Sequence, residues 1–125
     1  MAENKKPLVL VVEDDSNTNI LLKFFLRDNY ETCFAISVAE AKEKMDNQPV
    51  EIILLDLSLD GNEDGLDLVK YLRKMKKWKD IPIIATTAHA FTKDRDNCFQ
   101  AGCNDYLAKP YSRTALMDKI MLFLK

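Results

Sequence analysis

The stretch Leu8-Val9-Leu10-Val11-Val12-Glu13-Asp14-Asp15 decides the reading of this chain. Aliphatic residues in unbroken succession, with no polar residue alternating between them, suit a strand covered on both faces, and such strands belong to parallel sheets packed between helices. The run then stops in three consecutive acids. In an open α/β sheet, ligands bind beyond the carboxyl ends of the strands, where the strand order reverses. The acids therefore mark where the chemistry is to be sought.

Working outward, Ile52-Ile53-Leu54-Leu55 and Ile81-Pro82-Ile83-Ile84-Ala85 repeat the same short, branched character and predict two further central strands. Pro82 is tolerable only near a strand start. Thr32-Cys33-Phe34-Ala35-Ile36 and Asp105-Tyr106-Leu107-Ala108 are more mixed, as edge strands should be. Helical spacing fills the intervals. Asn17 to Asp28 carries Ile20, Leu21, Phe24 and Phe25; Val38 to Asn47 opens with a Ser37/Glu40 capping box; Leu68, Leu72 and Met75 stripe a third helix. Thr92 is placed to cap a fourth helix ended by Gly102, and Ser112 a fifth carrying Leu116, Ile120 and Phe123. Five (βα) units with crossovers of this length force parallel pairing and right-handed connections, a doubly wound α/β sandwich.

Composition narrows the classes. At 125 residues, with 47% hydrophobic and 30% charged residues, one domain over residues 1–125 is expected, burying about two-thirds of its unfolded surface without disulfide or structural metal. The 3 cysteines, Cys33, Cys98 and Cys103, lack C-x-x-C spacing, which argues against a disulfide framework or zinc site; Cys103, after Gly102, is expected at the surface. No apolar run approaches a membrane span, so a cytoplasmic protein is expected. A net charge of -2 gives no global attraction to nucleic acid or membrane. The basic run Lys70, Arg73, Lys74, Lys76, Lys77 and Lys79 reads as a solvated face, with Trp78 packing between helix and strand.

The strand ends deliver a coherent set of groups to one rim: Glu13, Asp14 and Asp15 after the first, Asp56 after the third, Thr86 and Thr87 after the fourth, Lys109 after the fifth. Carboxylates about 4 Å apart repel by roughly 4 kcal/mol near a protein surface, which a divalent cation relieves. Oxygen ligands without a His/Cys cluster suit Mg²⁺, with Mn²⁺ as a substitute. Phosphoryl transfer to an aspartate is the chemistry such a rim supports. A flavin carrier would need a glycine- and hydroxyl-rich loop where this chain is acidic. An aspartyl phosphatase would carry its nucleophile after the first strand and a lid for which there is no room.

Val11-Val12-Glu13-Asp14-Asp15, Leu54-Leu55-Asp56, Ala85-Thr86-Thr87-Ala88 and Tyr106-Leu107-Ala108-Lys109-Pro110 resemble, in order and spacing, the signature blocks of the response-regulator receiver domain of two-component phosphorelays. The resemblance implies a flavodoxin-like sheet in the order 2-1-3-4-5. It implies Asp56 as phosphoacceptor, Glu13, Asp14 and Asp56 as Mg²⁺ ligands together with the backbone carbonyl of Ser58, Thr87 and Lys109 as phosphoryl-binding groups, and a cis Lys109–Pro110 bond. Thr87 and Tyr106 would form a switch, though Tyr106 also reads as an ordinary edge-strand aromatic. Ser58 and His89 would tune phosphoryl lifetime, or be plain loop residues.

The implied partners are a sensor histidine kinase or histidine phosphotransfer protein as donor and a downstream protein target. With the chain stopping at Lys125 just after the fifth helix, output is expected to go through a partner, and the resemblance implies the fourth-helix, fifth-strand, fifth-helix face around Phe91, Tyr106 and Tyr111 as its surface. The protein would catalyse only its own phosphorylation and dephosphorylation, not act as an enzyme on other substrates. The alternative is a degenerate receiver used as a phosphorylation-independent interaction module. One departure stands out: Asp56 and Gly65 lie nine residues apart where the family usually has eight, and Asp60 stands near an expected Pro, so the Asp60–Asp64 loop is longer and more acidic than typical.

Overall fold

Strands β1 (Leu8–Val12), β2 (Glu31–Ala35), β3 (Ile52–Asp56), β4 (Ile83–Thr87) and β5 (Asp105–Ala108) form one sheet in the order β2-β1-β3-β4-β5. Every pairing is parallel, with Val12 opposite Ala35 and Leu55, and Asp56 opposite Thr86. The computed structural model describes residues 6–58, 65–88 and 92–124. Helices α1 (Ser16–Leu26), α2 (Val38–Asn47), α3 (Gly65–Lys74), α4 (Thr92–Ala101) and α5 (Arg113–Phe123) complete five βα units. This is the doubly wound order expected, and it places the topological switch between β1 and β3.

Alternation along the strands divides the core into two faces. Leu10, Val12, Ile53, Leu55, Ile83 and Ala85 point into a cluster with Val38, Ala41 and Met45 of α2, Leu68, Val69 and Leu72 of α3 and Cys98 of α4. Val9, Val11, Ile52, Leu54 and Ile84 point the other way, against Leu22 and Leu26 of α1 and Leu116, Met117 and Ile120 of α5. Both faces of β1 and β3 are thus sealed, which is why their sequences show no polar alternation.

Caps fix where the helices begin. The Ser37 and Ser112 hydroxyls accept from the backbone N–H groups of Glu40 (3.1 Å) and Ala115 (3.0 Å), and the Glu40 carboxylate reaches back to the Ile36 N–H. Several expectations are corrected. β4 starts at Ile83 rather than Ile81 and extends through Thr87, so Thr86 and Thr87 belong to the strand. Met75 falls beyond α3 and is exposed. On α1 the buried residues are Leu22 and Leu26, whereas Ile20 (59%) and Phe24 (59%) face solvent. Helical spacing identifies an apolar row, but here the row wraps past the buried edge of the helix. Trp78 is buried as expected, while Cys103 is buried rather than exposed.

Candidate phosphoryl-transfer site

The carboxyl ends of β1, β3, β4 and β5 gather Glu13, Asp14, Asp56, Thr87 and Lys109 onto one rim. Asp56 is the last residue of β3 and is 4% exposed; Glu13 directly follows β1 and is 3% exposed. Oxygen atoms of Glu13, Asp14 and Asp56 all lie within 4.8 Å of one another. The Lys109 ammonium bridges two of them, 2.7 Å from Glu13 Oε1 and 3.3 Å from Asp56 Oδ2. Among the described residues, one ammonium faces three clustered carboxyl groups, an electrostatic shortfall suited to a hard divalent ion.

The titration behaviour follows from the same geometry. Burial, a hydrogen bond with Asp56 and its charge outweigh Lys109 and raise the Glu13 carboxyl to about 7. Burial acts to lower Lys109, but its hydrogen bond to Glu13 and the Asp56 and Glu13 charges prevail, and its pKa stands above the usual lysine value. The two shifts are compatible: Lys109 stays charged whether or not Glu13 holds its proton. Burial likewise raises the Tyr111 phenol to about 12.

Local chain geometry holds the acids in place. Asp15 turns away: its carboxylate caps α1, accepting from the Thr18 backbone N–H at 2.9 Å and from the Thr18 hydroxyl, which lowers its pKa. Asn19, one turn into α1, donates from Nδ2 to the Glu13 backbone carbonyl at 2.8 Å. That clamp on the β1–α1 turn was not anticipated, and only an Asn six residues beyond an acid hinted at it. The Ser58 N–H donates to Asp56 Oδ1 at 2.9 Å, an Asx turn that orients the carboxylate. Leu57 continues the ladder by donating to Thr86 O, and the Lys109 N–H donates to Thr87 O at 2.7 Å. A Cβ on Gly65 would come within 3.2 Å of Asp56 O, so α3 starts close beneath the β3 end.

Thr87 is 3% exposed at the end of β4, opposite Ala108. Tyr106 is half-buried on β5, packed against the α2–α3–α4 core cluster rather than on the rim. The Lys109–Pro110 bond is cis. His89, Phe91 and the Asp60–Asp64 loop lie outside the described residues. No helix among the described residues is long and apolar enough to cross a membrane.

Comparison with known proteins fits this geometry. A family model described as the response regulator receiver domain matches residues 9–121. The transcriptional regulatory protein VxrB of Vibrio cholerae is 36% identical over 121 residues, which cover 96% of this chain and 47% of VxrB, so the chain spans about half that relative's length. An uncharacterized 14.6 kDa protein of Leptolyngbya boryana is 34% identical, over 92% of this chain and 88% of its own. Among solved structures, the receiver domain of the sensor histidine kinase PA1611 from Pseudomonas aeruginosa PAO1 superposes with a TM-score of 0.85 at 33% identity, covering 94% of this chain and 97% of that one. That structure has a magnesium ion coordinated in its active site cleft. The acid-rich rim at the switch point of a 2-1-3-4-5 sheet, together with a family match over almost the whole chain, establishes that this protein belongs to the response regulator receiver family.

Proposed function

We propose that the chain is a single receiver domain over residues 1–125, working in the cytoplasm, and that it accepts a phosphoryl group on Asp56 from a phosphohistidine of a sensor histidine kinase or histidine phosphotransfer protein. The observation that carries this reading is the convergence of Glu13, Asp14 and Asp56 within 4.8 Å, with Lys109 spanning the gap. An Asp56 carboxylate oxygen attacks phosphorus, the P–N bond to the donor imidazole breaks, and the imidazole leaves by taking a proton. Lys109 is already poised beside the nucleophile and moves only slightly to meet the incoming phosphoryl oxygens; the Thr87 hydroxyl binds another. Glu13, Asp14 and Asp56 fit Mg²⁺ or Mn²⁺ by donor type and spacing, with the Ser58 carbonyl as a further ligand. When bound, such an ion neutralises charge on the phosphoryl oxygens.

A cavity of about 390 Å³ lined by Thr18, Leu21, Leu22, Ala88, Lys109, Pro110 and Tyr111 offers an apolar seat at the Lys109 side of the rim. The donor would approach over this rim. Output passes to a downstream protein through the face of α4, β5 and α5, with Thr87 and Tyr106 as the switch and Ser58 and His89 tuning the phosphoryl lifetime.

Intact mass after incubation with acetyl phosphate, with and without Mg²⁺, on the parent protein and on Asp56→Asn, tests the reading. One phosphoryl adduct requiring both Mg²⁺ and Asp56 is expected. No adduct from either acetyl phosphate or a phosphohistidine donor would replace it with a phosphorylation-independent interaction module.

A further inference from the structure

Only Glu13, Asp14 and Asp15 separate β1 from α1, and one side chain of the helix reaches back across them. The Glu13 N–H still belongs to the sheet, donating to Ala35 O at 2.9 Å. Beyond it, Asn19 grips the chain on both sides of Asp14: its backbone N–H donates to Asp15 O at 3.0 Å, and its side-chain Nδ2 donates to Glu13 O at 2.8 Å. The Asp15 N–H in turn donates to Glu13 Oε2 at 3.3 Å. Each peptide unit is planar, so one hydrogen bond orients the whole of it. The units before and after Asp14 are thus both held, the first by Asn19 and the second by Glu13. This grip has a cost. Asn19 Oδ1 is buried without a hydrogen-bond partner among the described residues, and turning the amide over would set that oxygen against the Glu13 carbonyl. Leucine is close to asparagine in size, forms helix more readily and would bury no unpaired acceptor. Helix stability alone therefore does not account for asparagine here.

We propose that Asn19 is a positioning residue for divalent-cation binding: by fixing the Glu13–Asp14 peptide it aims the Asp14 carboxylate towards those of Glu13 and Asp56. The inference rests on the reading of the rim as a Mg²⁺-assisted phosphoryl acceptor. Oxygens of the three acids lie within 4.8 Å of one another, with Glu13 and Asp56 buried and Asp14 half-buried. Packing encloses Asp14 least, so the direction in which its side chain leaves the backbone matters most for that residue. A small hard ion demands near-ideal placement of its oxygen ligands, and a peptide free to rotate would carry the Asp14 oxygens out of it. Groups that orient metal ligands from behind commonly set affinity in this way. Loss of the Asn19 amide leaves Asp56, Thr87 and Lys109 in place, since these stand on β3, at the end of β4 and after β5. The effect is thus on how much metal the site needs, not on the reaction once the metal is bound.

Calorimetric titration of Mn²⁺ into the parent protein, Asn19→Leu and Asn17→Leu, with urea unfolding of each in metal-free buffer, tests this. Asn19→Leu should weaken Mn²⁺ binding by roughly tenfold, the lower end of what losing a partner behind a ligand produces. Its urea midpoint should stay near the parent's, because the change exchanges the unpaired Asn19 Oδ1 for a Glu13 carbonyl that has lost its donor. Asn17→Leu, the same replacement at an exposed position of α1, should leave the affinity unchanged. With acetyl phosphate as donor, the Mg²⁺ concentration for half-maximal phosphorylation should rise in Asn19→Leu by the same factor as the Mn²⁺ affinity falls, while the rate at saturating Mg²⁺ is kept. Should the leucine variant not fold, Asn19→Ala makes the same comparison without the bulk. Parent-like affinity in the Asn19 variants would overturn the inference. So would a loss equalled by Asn17→Leu, or one that comes with a collapsed urea midpoint and a lowered rate at saturating Mg²⁺, the mark of a purely structural residue. A parent protein that itself binds no Mn²⁺ would overturn the reading of the rim, and the inference with it, a result separate from any difference between variants.

Discussion

Two partly buried cations serve opposite ends of this sheet, and their surroundings differ in kind. Arg73, at the end of α3, spreads its guanidinium over neutral oxygens: Nε donates to Gly102 O (2.9 Å), Nη1 to Ile81 O (2.7 Å), Trp78 O and Lys79 O, and Nη2 to Asn104 Oδ1 (2.7 Å). Asn104 Oδ1 in turn accepts from the Ile83 N–H, joining the α3–β4 and α4–β5 connections into one network. Lys109 instead stands between two carboxylates with a third acid close by. Arg73's geometry is finished, every guanidinium nitrogen aimed at a fixed neutral acceptor in a way a planar fork can manage and an ammonium cannot. Lys109's neighbourhood is incomplete, with more negative charge than one ammonium offsets. A satisfied buried cation is architecture; an outnumbered one marks where a ligand is to be bound.

The largest effect expected from that contrast is at Arg73. Arg73→Ala strands carbonyls of two loops at once and should cost about 3 kcal/mol, read as a lower urea midpoint with unchanged slope; Arg73→Lys should recover little of it. A loss under about 1 kcal/mol would make the network an ornament rather than a tie.

Next comes a pH effect confined to the acidic rim. Glu13 titrates near 4.5 when unfolded and near about 7 when folded, so between these values the folded protein holds more protons and its stability falls as pH rises. A decline of about 2 kcal/mol across that window is expected in metal-free buffer. Glu13→Gln or saturating Mg²⁺ should flatten it, and a slope unaffected by either would assign the titration elsewhere.

The smallest effect sharpens the comparison from the other side. Lys119 makes a single ion pair with Asp105 at 2.9 Å, with side chains 33% and 20% exposed. Lys119→Ala should change stability by about 0.5 kcal/mol or less and leave the pH profile intact. A larger loss would blur the distinction between pairing and outnumbering.

The sequence made much of this legible, for local reasons. Unbroken aliphatic runs identified β1, β3 and β4, and the residues ending them identified the rim. Ser37 and Ser112 declared their caps because capping is a matter of three residues. What escaped depends on distant partners. Arg73 lay in a basic run that reads as a solvated face, and nothing nearby announces that Gly102 and Asn104, some thirty residues on, receive its fork. Asp15 sat beside two site acids and turned out to cap α1. The apolar row of α1 was found but its depth was not, because periodicity gives a face without saying what covers it. Cys103 was expected at the surface because a residue after a helix-ending glycine usually is; a Schellman turn instead folds it back, its N–H donating to Cys98 O.

The position of Trp78 has a practical consequence. It is the 1 tryptophan of the chain, buried just before β4, with its carbonyl held by Arg73. The acidic rim lies beyond the other end of that strand, about 16 Å away for a 5-residue β4. Tryptophan fluorescence, excited where tyrosine does not absorb, therefore watches the Arg73 end of the molecule, away from ions at the rim. A shift in its unfolding curve on adding metal would be a clean measure of long-range thermodynamic linkage, uncontaminated by local optics.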